Sequence, residues 1–306
     1  MSQAQLRGGA SRTMDALGPT HVVDYGGVGP TVVLVHGLGG SHLNWMLVGP
    51  SLANRYRVLA IDLPGFGLTA PEGRSAAVSS QAEVVAELIR RHVGGPATVM
   101  GNSMGGLVAM LAADLAPELI SSLVLVDPAL PPQRLTAPSA DTLRFLAMPL
   151  VPLLGPRWTA HLRATRSPAE QVNASLDFVA ADPDRIPEEV RTAGIAMEEA
   201  RRRMPWSTTA FAEAGRSIAA TLARKDRLER TIHAIGAPVL LIHGEHDEVV
   251  PVDGAHWVQR LRPDWDVVML DGVGHVAQLE VPDLFLELVT EWLAAKASYV
   301  PVPVSS

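Results

Sequence analysis

The pentapeptide Gly101-Asn-Ser-Met-Gly105 stands between an apolar run at residues 97–100 and a helix-like stretch of small and apolar residues. In so tight a turn from strand to helix, side chains two positions either side of the serine would clash, and glycine fits because it lacks Cβ. The strained turn lifts the Ser103 hydroxyl clear of the backbone and points it at solvent. The pentapeptide therefore predicts a buried strand, a sharp turn and a helix, with a candidate nucleophile at their junction.

Length and composition limit the classes of protein to which the chain can belong. Its 306 residues suffice for one large α/β domain, with or without an insertion, and 47% hydrophobic and 19% charged residues are ordinary for a globular enzyme. A net charge of −7 argues against nucleic acid or an anionic membrane as the main partner. The absence of cysteine excludes disulfides, a thiolate nucleophile and cysteine-based metal sites.

The two ends of the chain carry no targeting or membrane signal. Residues 1–17 are polar and lack the apolar core of a signal peptide, and no run is long enough to span a bilayer. Residues 299–306 are broken by prolines and are interpreted as a loose tail. We expect a soluble cytoplasmic protein without integral membrane contact, and the sequence does not indicate its oligomeric state.

Apolar runs alternate with amphipathic stretches along most of the chain. This alternation predicts right-handed βαβ units and a mostly parallel, doubly wound sheet. Strands are predicted at residues 21–25, 31–35, 58–61, 97–100, 122–126, 239–242 and 267–270. Helices are predicted at residues 43–54, after a capping box at 80–83, after Ser103, and at 254–261 and 284–295.

The alternation stops between residues 130 and 230, where proline-punctuated helical segments replace the strands. These segments are residues 142–151, 157–165, 169–181, 187–204 and 209–224. The prediction is a core domain of residues 1–129 and 231–306, with an α-helical cap of residues 130–230 inserted after the strand that ends at Asp127.

Five loops in this order resemble those of the α/β-hydrolase family, and the resemblance covers nearly the whole chain. The loops begin at His36, Asp62, Gly101, Gly244 and Gly272, with the sequences HGLGG, DLPGFG, GNSMGG, GEHD and GVGH. In this family the catalytic serine, acid and histidine follow one another along the chain. The resemblance implies that Ser103, Asp247 and His275 form a catalytic triad at the carboxyl ends of the strands.

The chemistry assigns a role to each of these residues. A serine hydroxyl needs a base to remove its proton, and the neutral imidazole of His275 would do so and later protonate the leaving group. Asp247 would hold the imidazole in one tautomer and stabilise its charged form. Asp127 is the alternative acid, since some family members place their acid after the strand that follows the elbow helix. Its other interpretation is a turn or cap residue before Pro128.

The resemblance also implies an oxyanion hole made of two backbone N–H groups. Met104, at the N-terminus of the elbow helix, and Leu38, in the glycine loop, are the predicted donors. His36 is expected to support the glycine loop through hydrogen bonds. No metal site is predicted, because His243 and His246 have no further ligands in suitable spacing, and no motif calls for a cofactor.

The predicted function is hydrolysis of a small-molecule carboxylic ester with an apolar acyl or alcohol part, through an acyl-enzyme. Two alternatives stay open: cleavage of C–C bonds in ring-opened aromatic breakdown products, and ligand binding without catalysis. The basic run 201–203 is interpreted as a solvated face. Apolar cap residues form the cap core or line the pocket; they are Leu143, Phe145, Leu146, Met148, Leu150, Trp158, Leu162, Met197, Met204, Trp206 and Phe211.

Overall fold

The computed structural model describes residues 8–133, 151 and 154–296, and this part of the chain contains one eight-stranded sheet. The strand order is β1-β2-β4-β3-β5-β6-β7-β8. β2 pairs antiparallel with β1 and β4, and all other pairs are parallel. The predicted mostly parallel sheet is therefore confirmed. The strands are β1 (Ala10–Asp15), β2 (Pro19–Gly26), β3 (Thr31–Val35), β4 (Arg57–Ile61), β5 (Ala97–Asn102), β6 (Ile120–Val126), β7 (Val239–Gly244) and β8 (Asp266–Leu270).

Helices pack on both faces of this sheet. The helices are α1 (Gly49–Leu52), α2 (Val78–His92), α3 (Met104–Leu115), α4 (Leu154–Thr165), α5 (Pro168–Val179), α6 (Glu188–Arg201), α7 (Ser207–Leu222), α8 (Lys225–Ala234), α9 (Asp253–Leu261), α10 (Ala277–Glu280) and α11 (Pro282–Lys296). Within the described ranges, no helix combines the length and apolarity that crossing a membrane requires.

The apolar strands supply two hydrophobic clusters, one on each face of the sheet. Successive side chains of a strand point to opposite faces, so Val33 and Val99 belong to one cluster and Leu34 and Met100 to the other. The first cluster includes residues of α2, α3, α8 and α9, and the second includes residues of α1 and α11. Because both faces are covered, the central strands are continuous apolar runs, as expected for a buried parallel sheet.

The strand β1 is missing from the sequence prediction, which described residues 1–17 as polar and assigned no strand or helix to them. Its side chains are nearly all exposed, so the sequence has no period-two alternation of apolar residues. Backbone pairing with β2 creates the strand: Ala10 lies opposite Asp24 and Asp15 opposite Pro19. An exposed edge strand of this kind depends on its neighbour and has little signature of its own.

Two helix predictions differ in detail from the structure. The single helix predicted at residues 43–54 is instead a 3-10 turn (His42–Trp45) followed by the short α1, which has Pro50 in its first turn. The capping box predicted at residues 80–83 is wrong, because α2 begins earlier, at Val78. The N–H of Val78 donates to Ser217 Oγ of α7 at 3.1 Å, so a distant side chain caps the helix in place of a local one.

Between β6 and β7 the described residues contain no strand, in agreement with the predicted helical insertion. The segment predicted at residues 142–151 lies almost wholly outside the described residues. The last helix of this stretch, α8, crosses the predicted boundary at residue 230 and packs back onto α3. There the Thr231 hydroxyl donates to Asp114 at 2.8 Å. The helices α4 to α7 therefore form the part of this stretch that precedes the return to the sheet.

Candidate active site

Ser103 occupies a strained turn between β5 and α3. Its φ of +56° and ψ of −118° lie in a region that L-residues rarely adopt. A Cβ on Gly101 would meet the carbonyl oxygen of Gly105 at 2.2 Å, and a Cβ on Gly105 would meet that of Val35 at 2.2 Å. Both flanking glycines are therefore required by close backbone approach, as the sequence predicted.

His275 and Asp247 lie together at the carboxyl ends of neighbouring strands. His275 Nδ1 lies 2.7 Å from Asp247 Oδ2, and both side chains are buried. The other carboxylate oxygen of Asp247 accepts the N–H groups of Val249 and Val250 at 2.7 and 2.9 Å. Burial lowers the pKa of His275, but attraction to the Asp247 carboxylate and its hydrogen bond outweigh burial and raise the pKa above its ordinary value.

The contact between His275 and Asp247 leaves Nε2 as the imidazole atom available to Ser103. No hydrogen bond joins Ser103 Oγ to His275 in this structure, although both residues line one cavity. Hydrogen bonds of catalytic groups are often long without substrate and tighten in the complex. The arrangement thus brings together the three residues of the predicted triad and leaves the serine–imidazole contact open.

The two predicted oxyanion donors lie beside Ser103. The glycine loop packs against the serine so closely that a Cβ on Gly37 would lie 3.2 Å from Ser103 Cβ. Leu38 follows in that loop, and Met104 is the first residue of α3. Among the described groups, neither backbone N–H has a hydrogen-bond acceptor. Both donors are therefore available to an atom bound above Ser103, and the helix dipole of α3 favours negative charge there.

His36 supports the glycine loop, as the sequence predicted. Its Nδ1–H donates to the carbonyl oxygen of Gly37 at 2.8 Å, and its Nε2 accepts the N–H of Leu63 at 3.1 Å. Burial lowers its pKa to about 4, which keeps the ring neutral at physiological pH. Only the neutral ring can donate from one nitrogen and accept at the other.

Asp127, the alternative acid, is bound to β7 and not to the imidazole. Its Oδ1 accepts the N–H of Gly244 at 2.7 Å, and the nearest imidazole nitrogen is that of His243, at 3.8 Å. Burial, with repulsion from Asp247, raises the pKa of Asp127 well above its ordinary value. Its hydrogen bond to β7, without one to an imidazole, suits a structural contact better than stabilisation of an imidazolium.

Two asparagines of the site were not identified from the sequence. The side-chain amide of Asn102 donates to the carbonyl oxygens of Val126 and His275, at 3.1 and 3.0 Å, and so ties the elbow to the histidine loop. Asn44 donates to Asn102 Oδ1 at 3.4 Å. The position of Asn102 next to the serine was the one available signal, since its partners are distant in sequence.

In the part of the chain that the structure describes, two buried groups of three residues bring histidine and carboxylate atoms within 4.8 Å of one another: His21, His42 and Asp62, and Asp127, His243 and Asp247. In the first, hydrogen bonds of 2.8 to 3.0 Å join both rings to Asp62, so these atoms already satisfy one another. In the second, Asp247 is engaged by His275. The exposed His246 belongs to neither cluster, so it does not pair with His243 as a ligand set.

A cavity of about 380 Å³ lies between the glycine loop and the inserted helices and contains Ser103 and His275 in its wall. Four of the apolar residues singled out in the sequence line it: Leu162, Met197, Met204 and Phe211. Trp158 and Trp206 are described but do not line it, and Leu143, Phe145, Leu146, Met148 and Leu150 lie outside the described residues.

The interpretation of residues 201–203 as a solvated face is wrong for Arg201. This side chain lines the cavity and lies 3.4 Å from the buried carboxylate of Glu198, which also lines it. Arg202 contacts the other oxygen of Glu198 at 3.4 Å, and Arg203 is exposed. The run begins at the last residue of α6, whose buried face carries the Glu198 carboxylate, and this carboxylate draws the side chains of Arg201 and Arg202 inward.

The neutrality of His36 makes stability depend on pH. The unfolded chain binds a proton at His36 near pH 6.5, whereas the folded protein binds it only near pH 4. The neutral His36 ring contributes about 3 kcal/mol to the free energy of unfolding. This contribution is complete above pH 6.5 and is lost as the pH falls from 6.5 to 4. The wild-type protein should therefore have a larger free energy of unfolding by urea than His36→Gln, and this difference should be smaller at pH 4.5 than at pH 7.5. An unchanged difference would contradict the assignment, and the exposed His246→Gln is the control.

Comparison with known proteins agrees with this architecture. The family model described as alpha/beta hydrolase fold matches residues 30–282. A pimeloyl-[acyl-carrier protein] methyl ester esterase of Nitrosomonas europaea is 28% identical over 260 residues, which cover 85% of this chain and 94% of that protein. A 2-hydroxy-6-oxo-6-(2'-aminophenyl)hexa-2,4-dienoic acid hydrolase of Metapseudomonas resinovorans is 26% identical over 282 residues, 89% of this chain and 86% of the relative.

A solved structure with a similar fold is that of a putative lipase from Acinetobacter baumannii AYE. The TM-score is 0.75 at 24% sequence identity, and the match covers 97% of this chain and 95% of the lipase chain. Since the family model spans most of the chain, the chain belongs to the α/β-hydrolase fold family.

Proposed function

We propose that the protein is a serine hydrolase that cleaves carboxylic esters with an apolar part through an acyl-enzyme. The observation that carries the proposal is the opening of one cavity onto both the strained Ser103 and a histidine that is hydrogen-bonded to Asp247. The esterases among the relatives are consistent with this reaction class.

In the proposed first step, His275 Nε2 removes the proton of the Ser103 hydroxyl while Oγ attacks the ester carbonyl carbon. Asp247 stabilises the imidazolium that forms, and its effect on the pKa of His275 is in the required direction. The carbonyl oxygen becomes an oxyanion and accepts the N–H groups of Leu38 and Met104.

The tetrahedral intermediate then collapses. The imidazolium gives its proton to the alcohol oxygen, which leaves, and the acyl group stays on Ser103. A water molecule repeats the sequence: His275 takes its proton, the hydroxide attacks the acyl carbon, and Ser103 leaves with the proton that the imidazolium returns. The products are an alcohol and a carboxylic acid, and no cofactor takes part in these steps.

The cavity wall supports an apolar part in the substrate. Side chains of Leu162, Met197, Met204 and Phe211 come from the inserted helices, and Phe66 and Leu279 contribute from the core. We propose that the helices α4 to α7 form the cap over the site, so that the cap ends before α8 and not at residue 230 as predicted.

A second candidate is cleavage of a C–C bond, which the Metapseudomonas relative's name suggests. The hydrolases of this kind that the elbow sequence resembles usually carry a Gly-Pro-Gly run in the oxyanion loop, and this chain has Gly37-Leu-Gly-Gly40. A role in ligand binding alone is the third candidate. It gives no reason for a serine held at a φ of +56°, a conformation that costs about 1 to 3 kcal/mol.

Replacing the nucleophile tests the proposal. Ser103→Ala should lower the turnover of p-nitrophenyl esters by roughly 10⁴-fold or more with the melting temperature retained, because no other group forms the acyl-enzyme. A serine-directed phosphonate should label Ser103 alone, as measured by peptide mass spectrometry. Normal turnover in the variant, or labelling elsewhere, would refute the mechanism. Faster turnover of a vinylogous 1,5-diketone than of any ester would instead favour the second candidate.

Exchanging each acid for its amide separates the two candidate acids. Asp247→Asn should lower turnover of one ester by roughly 10³- to 10⁴-fold, because the amide leaves the imidazole in the wrong tautomer. Asp127→Asn should lower turnover far less, since its amide oxygen can still accept the N–H of Gly244. Both variants are assayed at saturating ester and checked by thermal melting. An inactive Asp127→Asn beside an active Asp247→Asn would exchange the assignment.

A further inference from the structure

Glu280 is a buried carboxylate, 2% exposed, at the end of α10 and five residues after His275. It accepts three backbone N–H groups. Gly274 donates to Oε2 at 2.9 Å, Ala181 to Oε2 at 3.2 Å and Asp182 to Oε1 at 3.1 Å. Gly274 belongs to the histidine loop, residues 272–275, whereas the other two donors follow the cap helix α5.

The histidine loop and the chain after α5 are in direct backbone contact. The N–H of His275 donates to the carbonyl oxygen of Val179 at 2.7 Å. A Cβ on Gly274 would lie 2.5 Å from the backbone nitrogen of Ala181, so only glycine permits this approach. Glu280 therefore lies at a junction where the loop that carries the proposed base meets the inserted helices.

Arg185 is the cation of this junction, and its Nε also lies 3.1 Å from Asp182 Oδ2. Its Nη1 lies 3.6 Å from Glu280 Oε1 and donates to the carbonyl oxygen of Gly272 at 2.9 Å. Hydrogen bonds to an ionised acceptor are about twice as strong as those between neutral groups, so these donors compensate the buried charge. Removing the carboxylate would leave three backbone N–H groups without their acceptor.

We propose that Glu280 is a positioning residue for catalysis: its carboxylate fixes the histidine loop against the cap and thereby aligns the His275 imidazole with Ser103. This inference rests on the proposed function. Asp247 and Asn102 hold the ring and the carbonyl of His275, and Glu280 holds the N–H of the residue before it. A displacement of the imidazole by about 1 Å would cost on the order of 10²-fold in rate.

Glu280→Gln tests the role of the carboxylate with the least change in shape. The amide oxygen can still accept the N–H groups of Gly274 and Ala181, but the NH₂ group then faces the N–H of Asp182 and the guanidinium of Arg185. We expect kcat for one p-nitrophenyl ester to fall roughly 10- to 100-fold while KM stays within about twofold, because substrate binding does not involve this group. Labelling of Ser103 by the phosphonate should slow in parallel, since it depends on the same imidazole.

Glu213→Gln is the matched control. Glu213 of α7 also joins the inserted helices to the core, through a 2.5 Å hydrogen bond from the Ser75 hydroxyl, but it lies outside the histidine loop. We expect this variant to keep the wild-type kcat even if its melting temperature falls as much as that of Glu280→Gln. Unchanged kcat and labelling rate in Glu280→Gln, or the same loss of kcat in Glu213→Gln, would overturn the proposal.

Arg185→Gln provides a second test if Glu280→Gln does not fold. It removes the contact to Gly272 and leaves the carboxylate in place, so kcat should fall roughly 3- to 5-fold at constant KM. A wild-type kcat in this folded variant would overturn the positioning role. Failure of the proposed function itself is distinguishable, because the wild-type protein would then neither hydrolyse esters nor be labelled at Ser103.

Discussion

The close approach of the first turn of α3 to β3 and β5 is the constraint on which the site depends. The backbone of Gly105 lies against the carbonyl oxygen of Val35, and that of Gly101 against Gly105 itself. No side chain fits in either gap, and the chain turns from strand to helix at Ser103 with a positive φ. The same contact sets the glycine loop beside the serine. This close backbone contact thus brings the proposed nucleophile and the proposed oxyanion donors to the same point.

Buried carboxylates organise the loops around this point. Asp62 accepts the N–H groups of His42 and Leu68, and Asp247 those of Val249 and Val250. Glu280 binds the histidine loop to the chain after α5 in the same way. Loops at the end of a sheet have few neighbouring strands to satisfy their backbone N–H groups, and an ionised acceptor satisfies two or three at once.

The core of the fold could be predicted because its signals are local. The run at residues 31–35 is mostly β-branched and is buried, and the glycines around Ser103 are required by close backbone contacts. β1 could not be predicted, because pairing with β2 creates it. The start of α2 could not be predicted either, because the distant Ser217 caps it. The order of the motifs led to Ser103, Asp247 and His275, and their catalytic roles stay predictions.

The contacts that lock the site were not predictable, because each joins residues far apart in sequence. Asn102 reaches His275, and Glu280 reaches Ala181. The central claim is that these contacts hold one geometry in which Ser103, His275 and two backbone donors act on the same carbonyl group. A crystal structure of the phosphonate adduct measures that geometry directly. The phosphonyl oxygen should lie about 2.7 to 3.1 Å from the nitrogens of Leu38 and Met104. A covalent adduct on Ser103 whose oxygen contacts neither nitrogen would contradict the account.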